Sequence, residues 1–223
     1  MKLFKVAFFI IAVFASISCK SKDSGKEKEV FHEIKSTKVI DIQKYETAYF
    51  ASGCFWCVEA VYESVTGVKE VISGYAGGTE VNPTYEQVGR GLTSHAEAIE
   101  VYYDPEVISY KTLVKVFFGS HDPTTLNGQG PDKGAQYRSI AFYKNDAEKK
   151  VITDYIAKLQ ADKVYNSPIV TQVVAYTIFY DAEDYHQDYE KRHPNNPYIR
   201  NVSIPRLERF QKKFPMLLKK EAH

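Results

Sequence analysis

The sequence has few cysteines and no excess of charge of either sign. Its 223 residues include three cysteines and one tryptophan, and 29 Lys+Arg balance 28 Asp+Glu. A net charge near zero excludes the global positive field with which many proteins attract nucleic acid, so no nucleic-acid partner is expected. Two cysteines beyond the N-terminal region are too few for an exported fold built on several structural disulfides.

A long apolar run is also missing. The apolar run 6–15 near the N-terminus is only about half of the roughly 20 residues that a membrane-spanning helix needs. It follows Lys2 and Lys5 and precedes small residues and Cys19, a pattern typical of a signal peptide that directs export to the cell envelope. Residues 1–19 are therefore predicted to be a signal peptide. Cys19 resembles the acylated cysteine of bacterial lipoproteins and is the predicted lipid attachment site, with a soluble secreted form as the alternative.

The rest of the chain predicts one domain between two polar segments. Residues 20–45 are rich in Lys, Glu, Asp and Ser, cannot bury enough apolar surface to order themselves, and are predicted to be a flexible tether. A hydrophobic content of 44% in 223 residues suits one good core rather than two. We expect a monomeric catalytic domain over 46–210 and a basic C-terminal tail over 211–223.

Hydrophobic periodicity predicts alternating strands and helices. Strands are expected at 47–51, 68–73, 96–103 and 139–143, with amphipathic helices after the first and third strands. This β-α-β-β-α-β order is typical of an α+β fold, a two-layer split β-α-β (ferredoxin-like) sandwich. A helix at 146–159 and a strand at 169–175 extend it, and an irregular, loop-rich tail begins at residue 181. Two long loops, 74–83 and 121–136, are predicted to be functional.

Cys54 and Cys57 form a lone C-x-x-C pair at the start of the first predicted helix. A zinc site would need two further ligands at recognisable spacing, and a haem site would need His in place of Val58. No metal is therefore expected, and a redox pair remains. The helix start favours a thiolate, which makes Cys54 the predicted nucleophile. Cys57 lies one turn later and is the predicted resolving thiol; two buried, inert cysteines are the alternative.

Phe55 and Trp56 stand between the cysteines and are predicted to form an apolar cup for a small group such as a sulfur-bound methyl. Ordinary core packing is the other explanation for both rings. Two other functions remain open at this point. A thioredoxin-like exchanger would act on disulfides, and a cysteine hydrolase would pair Cys54 with a base such as His186.

Four segments resemble, in order, the peptide methionine sulfoxide reductases of the A class. These segments are GCFWCVE at 53–59, NPTY at 82–85, HAEA at 95–98 and GAQYRS at 134–139 preceded by Asp132, with EDYHQ at 183–187 as a weaker fifth. The resemblance covers residues 47 to 192, a whole domain. The chain departs from the family pattern in GTEV at 78–81. Many members have glycine at the position of Cys57 and a recycling cysteine near the C-terminus, whereas this chain has no cysteine after Cys57.

The resemblance implies roles for five residues besides the cysteines. Glu97 would protonate the sulfoxide oxygen, Tyr85 and Tyr137 would also bind that oxygen, and Asp132 would orient substrate or water. Phe55 and Trp56 would hold the substrate methyl group. Independently, alternation along strand 96–103 places Glu97 on the face of Ile99, Val101 and Tyr103, so burial is expected to raise its pKa.

The function implied is reduction of methionine S-sulfoxide, protein-bound and free. Cys54 would become a sulfenic acid, and Cys57 would then close a disulfide on it. A thioredoxin-like protein or a small dithiol would reopen that disulfide. No bound cofactor is implied, and the expected partners are oxidised proteins, the reductant and a membrane reached through the lipid anchor.

Overall fold

The computed structural model of the protein describes residues 44–220. The predicted signal peptide, Cys19, residues 20–43 of the predicted tether and residues 221–223 lie outside the described residues. Within 44–220, no helix combines the length and apolar character needed to cross a membrane.

Strands and helices alternate through most of the described chain. The strands are β1 (Glu46–Ser52), β2 (Val68–Ala76), β3 (Ala96–Tyr103), β4 (Gly128–Gln129), β5 (Asp132–Lys133), β6 (Ser139–Tyr143), β7 (Gln172–Ala175) and β8 (Phe179–Asp181). The helices are α1 (Phe55–Glu63), α2 (Tyr85–Gly89), α3 (Tyr110–Ser120), α4 (Asp146–Ala161), α5 (Tyr189–Arg192) and α6 (Ile204–Lys213).

Six of these strands form one sheet in the order β7-β6-β1-β3-β2-β8. Its centre, β6-β1-β3-β2, is antiparallel throughout. The connections β1-α1-β2 and β3-α3-β6 are split by a strand between the paired ones, which is the arrangement of a split β-α-β sandwich. The predicted α+β fold is therefore confirmed.

Alternation along β3 decides which side chains meet the helices. Ile99, Val101 and Tyr103 point into the main core, which α1 and α3 cover. Ala96 and Ala98 point to the opposite face, where they pack in a smaller apolar cluster with residues of β1 and β6. Because side chains alternate with period two, Glu97 must enter the main core with Ile99, as predicted.

Strands β2 and β7 differ from their predicted bounds, and β8 (Phe179–Asp181) was not predicted. Strand β2 continues to Ala76 instead of ending at residue 73, since Gly74–Ala76 pair with both β3 and β8. A Cβ on Gly74 would lie 2.3 Å from the carbonyl oxygen of Tyr180, so glycine here permits close strand packing and does not mark a loop. Strand β7 begins at Gln172 rather than 169.

The tail from residue 181 is more ordered than predicted. It contains α5 and α6, and α6 continues to Lys213, past the predicted domain boundary at 210. Leu218 then pairs with Val65 in an isolated β-bridge. Residues 211–218, predicted to begin a basic tail, thus include the end of α6 and a bridge to Val65. Apolar side chains such as Phe210, 1% exposed, fix this segment to the core.

Candidate active site

Cys54 lies where β1 turns into α1. Gly53 has a φ of +93°, a left-handed conformation that favours glycine. A Cβ at this position would lie 2.7 Å from Cβ of Gln129, so glycine also lets the β4 strand approach. Cys54 is then the N-cap of α1, and its side chain is 6% exposed.

Glu97 takes the capping position that Cys54 leaves open. The Cys54 side chain makes no cap hydrogen bond, and the Phe55 N–H donates to Oε2 of Glu97 at 3.0 Å. Glu97 is 2% exposed, and burial raises its pKa to about 8 despite the hydrogen bond from Phe55. The carboxyl is therefore mainly protonated at neutral pH. Its predicted position on the buried face, with a raised pKa, is confirmed.

The two cysteines are both buried and unbridged, and their pKa values move in opposite directions. Burial raises the pKa of Cys54 well above the ordinary value of a thiol. A hydrogen bond from Cys54, helped by the Arg206 guanidinium, lowers the pKa of Cys57. Of the two reduced thiols, Cys57 is therefore the one that loses its proton more readily. The thiolate predicted at Cys54 rested on the helix start, and the sequence pattern did not show the burial that raises the pKa of Cys54.

Cys57 also meets a tyrosine from the tail. Its Sγ lies 3.7 Å from the hydroxyl of Tyr198, and that hydroxyl donates to Oδ2 of Asp132 at 2.6 Å. Asp132 was expected to orient substrate or water. In the structure it holds the Tyr198 phenol beside Cys57, which connects the loop at β5 to the tail.

Phe55 and Trp56 differ in their surroundings. Phe55 is 1% exposed within the core, whereas Trp56 is half-buried and stacks on Tyr189 with ring centroids 3.8 Å apart. Trp56 also donates its indole N–H to Nδ1 of His186 at 3.1 Å. Two tail residues thus fix the orientation of Trp56, so it can form a rigid wall of the site.

His186 is 1% exposed, and burial lowers its pKa to about 4. It is therefore neutral at pH 7, and acceptance of the Trp56 hydrogen bond at Nδ1 assigns the proton to Nε2. Nε2 has no hydrogen-bond partner in the described chain and lies 4.0 Å from Oε2 of Glu183. Since neither ring nitrogen bonds to Cys54, the structure does not support the cysteine hydrolase alternative.

Tyr85 and Tyr137 come from separate parts of the chain, and both lie near Glu97 and Cys54. Thr84 begins α2 with a reciprocal capping box with Gln87, which places Tyr85 at the first helical position. Burial, followed by the charges of Glu97 and Cys54, raises the pKa of Tyr85 to about 12. The same causes raise the pKa of Tyr137, in the turn Ala135–Tyr137. Both phenols therefore remain protonated donors near Cys54 and Glu97.

Several residues of the site were missed from sequence. Those from the tail that contact it are Glu183, Tyr189, Tyr198 and Arg206. Glu183 accepts the Tyr85 N–H at 3.0 Å, and it belongs to EDYHQ, the weakest of the five matching segments. No local pattern singled out the other three.

Comparisons with known proteins agree with this geometry. A family model described as peptide methionine sulfoxide reductase matches residues 46–217. A "Peptide methionine sulfoxide reductase MsrA" of Polynucleobacter asymbioticus is 46% identical over 173 residues, covering 78% of this chain and 91% of that protein. One of Thermus thermophilus is 46% identical, covering 78% and 98%.

Solved structures show the same similarity. Reduced Mxr1 from Saccharomyces cerevisiae matches with a TM-score of 0.65 and 37% identity, covering 69% of this chain and 88% of that one. Methionine sulfoxide reductase A of Corynebacterium diphtheriae matches with a TM-score of 0.60 and 33% identity, covering 68% and 76%.

Proposed function

The chain belongs to the peptide methionine sulfoxide reductase family and is a methionine sulfoxide reductase, and from this premise we propose the residues that carry the reaction. Cys54 is the nucleophile, Glu97 the acid, and Cys57 the resolving thiol. The observation that carries this assignment is the cap of α1, which holds a buried, protonated carboxyl directly beside Cys54. A disulfide exchanger has no need of such an acid.

In the first step the Cys54 sulfur attacks the sulfoxide sulfur. Oε2 of Glu97 accepts the Phe55 N–H, which leaves the other oxygen to give its proton to the sulfoxide oxygen. The phenols of Tyr85 and Tyr137 donate to the same oxygen as the S–O bond breaks. The S–S bond formed between Cys54 and the substrate then breaks as the oxygen passes to the Cys54 sulfur, and the proton of the Cys54 thiol returns to Glu97. Methionine leaves, and Cys54 remains as a sulfenic acid.

Trp56, fixed by Tyr189 and His186, supplies an apolar wall for the methyl group bound to sulfur. Substrates are methionine S-sulfoxide in oxidised proteins and the free amino acid. A reductase of this class acts on one sulfoxide epimer only.

In the second step Cys57 attacks the Cys54 sulfenic acid, forms a disulfide and releases water. An external dithiol then exchanges with this disulfide and leaves both cysteines reduced. A thioredoxin-like protein is the proposed donor, with small dithiols as substitutes. This cycle requires no bound cofactor.

Replacement of each cysteine separately tests the assignment. Cys54→Ser abolishes methionine formation, because a hydroxyl lacks the nucleophilicity that attack on sulfur requires. Cys57→Ser releases about one methionine per enzyme without reductant and stops as a sulfenic acid that dimedone traps. Its turnover with a thioredoxin-type donor is largely lost, whereas small thiols partly rescue it. Wild-type turnover of Cys57→Ser with thioredoxin would show that Cys57 is not the recycling thiol.

We also propose a location in the cell envelope. Residues 1–19 have the pattern of a signal peptide ending at an acylated cysteine, and residues 20–45 have the composition of a tether. Lipid on Cys19 gives membrane residence without a spanning helix. Cells fed labelled fatty acid should label the wild type, and Cys19→Ala should remove both the label and membrane partition. An unlabelled wild type excludes the anchor and leaves the enzymatic assignment unaffected.

A further inference from the structure

Arg206 is a buried cation in α6. It is 8% exposed and is the only lysine or arginine among the buried residues of the described chain. Its Nε donates to the Ser120 carbonyl at 2.8 Å, and its Nη2 donates to Oγ of Ser52 at 3.2 Å. Both acceptors are neutral. Over residues 44–220 no carboxylate forms an ion pair with it.

A buried charge is costly unless an anion lies close by. Two candidate anions line the same cavity of about 600 Å³ as Arg206, namely Cys57 and Asp132. Burial raises the pKa of Asp132 and the Arg206 charge opposes that rise, but Asp132 already accepts the Tyr198 hydroxyl, so Cys57 is the anion that Arg206 can serve. A Cβ built on Gly53 would lie 3.4 Å from Nη1 of Arg206, which places the guanidinium beside the turn that carries the cysteines. In agreement with this geometry, Arg206 contributes to the lowered pKa of Cys57.

The other groups around Cys57 do not supply a positive charge. Tyr198 offers a phenol, Asp132 is occupied by that phenol, and Glu97 is mainly protonated at neutral pH. Burial and the Arg206 charge lower the pKa of His121 to about 3, so this ring of the cavity wall is neutral. Arg209 and Lys213 also line the cavity but are exposed to solvent, where water screens their charges.

We propose that Arg206 is a positioning residue for recycling, whose guanidinium holds Cys57 as a thiolate and so prepares it to attack the Cys54 sulfenic acid. This inference rests on the recycling role proposed for Cys57. The Cys57 thiolate forms the S–S bond as the S–O bond of Cys54 breaks. The oxygen leaves as hydroxide and takes a proton from the Glu97 carboxyl to become water. Cys57 is oxidised and the Cys54 sulfur is reduced, so the electrons balance.

A second consequence concerns the redox potential. Closure of the disulfide removes the negative charge of Cys57, so Arg206 stabilises the reduced enzyme over the oxidised one. A dithiol whose reduced form is stabilised has a more oxidising disulfide. Loss of the Arg206 charge should therefore make the disulfide harder to reduce, in addition to slowing its formation.

The test compares Arg206→Met, which removes the charge, with Arg206→Lys, which keeps it. Reduced enzyme is mixed with methionine sulfoxide without reductant, and disulfide closure is followed by the fluorescence of Trp56, the only tryptophan. We expect Arg206→Met to raise the apparent pKa of disulfide closure by about one unit. At pH values below that pKa, closure should then be about tenfold slower than in the wild type. Arg206→Lys should recover much of this loss. Arg209→Met, which removes an exposed charge from the same cavity, should match the wild type.

Methionine release in the first turnover is the internal control, because it precedes closure. Normal release with slow closure supports the proposal. Closure in Arg206→Met with the wild-type pH profile, or an unchanged reduction potential, overturns it. If Arg206→Met does not fold, Arg206→Gln keeps an N–H donor for the Ser120 carbonyl and is judged by the same criteria. If the Arg206 variants refute this inference, Cys57 can still be the resolving thiol. Normal turnover of Cys57→Ser with thioredoxin would instead refute the recycling role of Cys57 on which the inference rests.

Discussion

Replacement of Glu97 by Gln removes an acid while keeping the shape of the side chain. The Gln carbonyl can still accept the Phe55 N–H that now binds Oε2 of Glu97, so the start of α1 is expected to persist. What is lost is the proton. Any fall in rate therefore reports on proton donation to the sulfoxide oxygen and not on collapse of the helix that carries Cys54.

The size of the effect follows from the burial of Glu97. With a pKa raised to about 8, roughly nine in ten Glu97 carboxyls are protonated at pH 7, against well under one in a hundred at the ordinary value. Loss of a positioned general acid costs about 10² to 10⁴ in rate. We expect a loss in this range for Glu97→Gln. Above the raised pKa the wild-type rate should fall about tenfold per pH unit, because the acid form disappears.

The assay is methionine release in a single turnover, measured in the Cys57→Ser background so that Cys57 does not titrate. Glu100→Gln is the matched control, since Glu100 lies on β3 but bonds to Tyr49 and Tyr102 instead of facing Cys54. Methionine release by Glu97→Gln should be slow, and its rate should not show the fall at alkaline pH that the loss of the carboxyl proton causes in the wild type. A Glu97→Gln rate equal to wild type from acid to neutral pH would refute the role of Glu97.

Two further predictions concern the contacts of the tail. Glu59 is a buried residue of α1 that accepts the backbone N–H of Asp188 in the tail. Burial raises its pKa to about 8, so the folded state holds a proton that the unfolded chain has lost, and the free energy of unfolding should fall by a few kcal/mol as pH rises from about 4.5 to 8. Glu59→Gln should weaken this pH dependence in thermal unfolding, and an unchanged dependence would contradict the prediction. His186→Leu leaves the Trp56 indole N–H without an acceptor, which should cost about 1–3 kcal/mol. The variant should raise KM more than it lowers kcat, and it should shift the fluorescence of Trp56. Unchanged KM and fluorescence would show that His186 does not orient Trp56.

Local sequence patterns predicted the site residues that lie on the sheet or directly after one of its strands. Alternation along β3 placed Glu97 with Ile99 and Val101, and the structure has all three in the main core. Gly53 and the C-x-x-C spacing placed both cysteines at the start of α1. Each of these inferences uses residues only a few positions apart, where strand and helix geometry fixes direction.

The contacts of the tail could not be found in this way. Tyr198 meets Cys57 across 141 residues, and Arg206 meets Ser52 across 154. Neither residue has a local spacing that indicates its partner, because only the packing of α6 and the preceding turn Ile199–Ser203 against α1 brings them together. The raised pKa of Cys54 was not visible in the sequence for the same reason. A helix start is visible in sequence, but the burial that outweighs it is produced by distant segments.

The two thiols of one C-x-x-C pair thus have different surroundings, and this difference explains how a common redox motif performs an uncommon reaction. Cys54 faces Glu97 and two phenols, all protonated, which suits removal of an oxygen that must leave with protons. Cys57 faces Tyr198 and Arg206, which suits a thiolate. The sheet and its loops supply the first set, whereas the second comes from the tail. Substitutions of Tyr198 or Arg206 can therefore change the recycling step while reduction of the sulfoxide is preserved. His186 and Tyr189, which lie earlier in the tail, instead support Trp56 and so the first step.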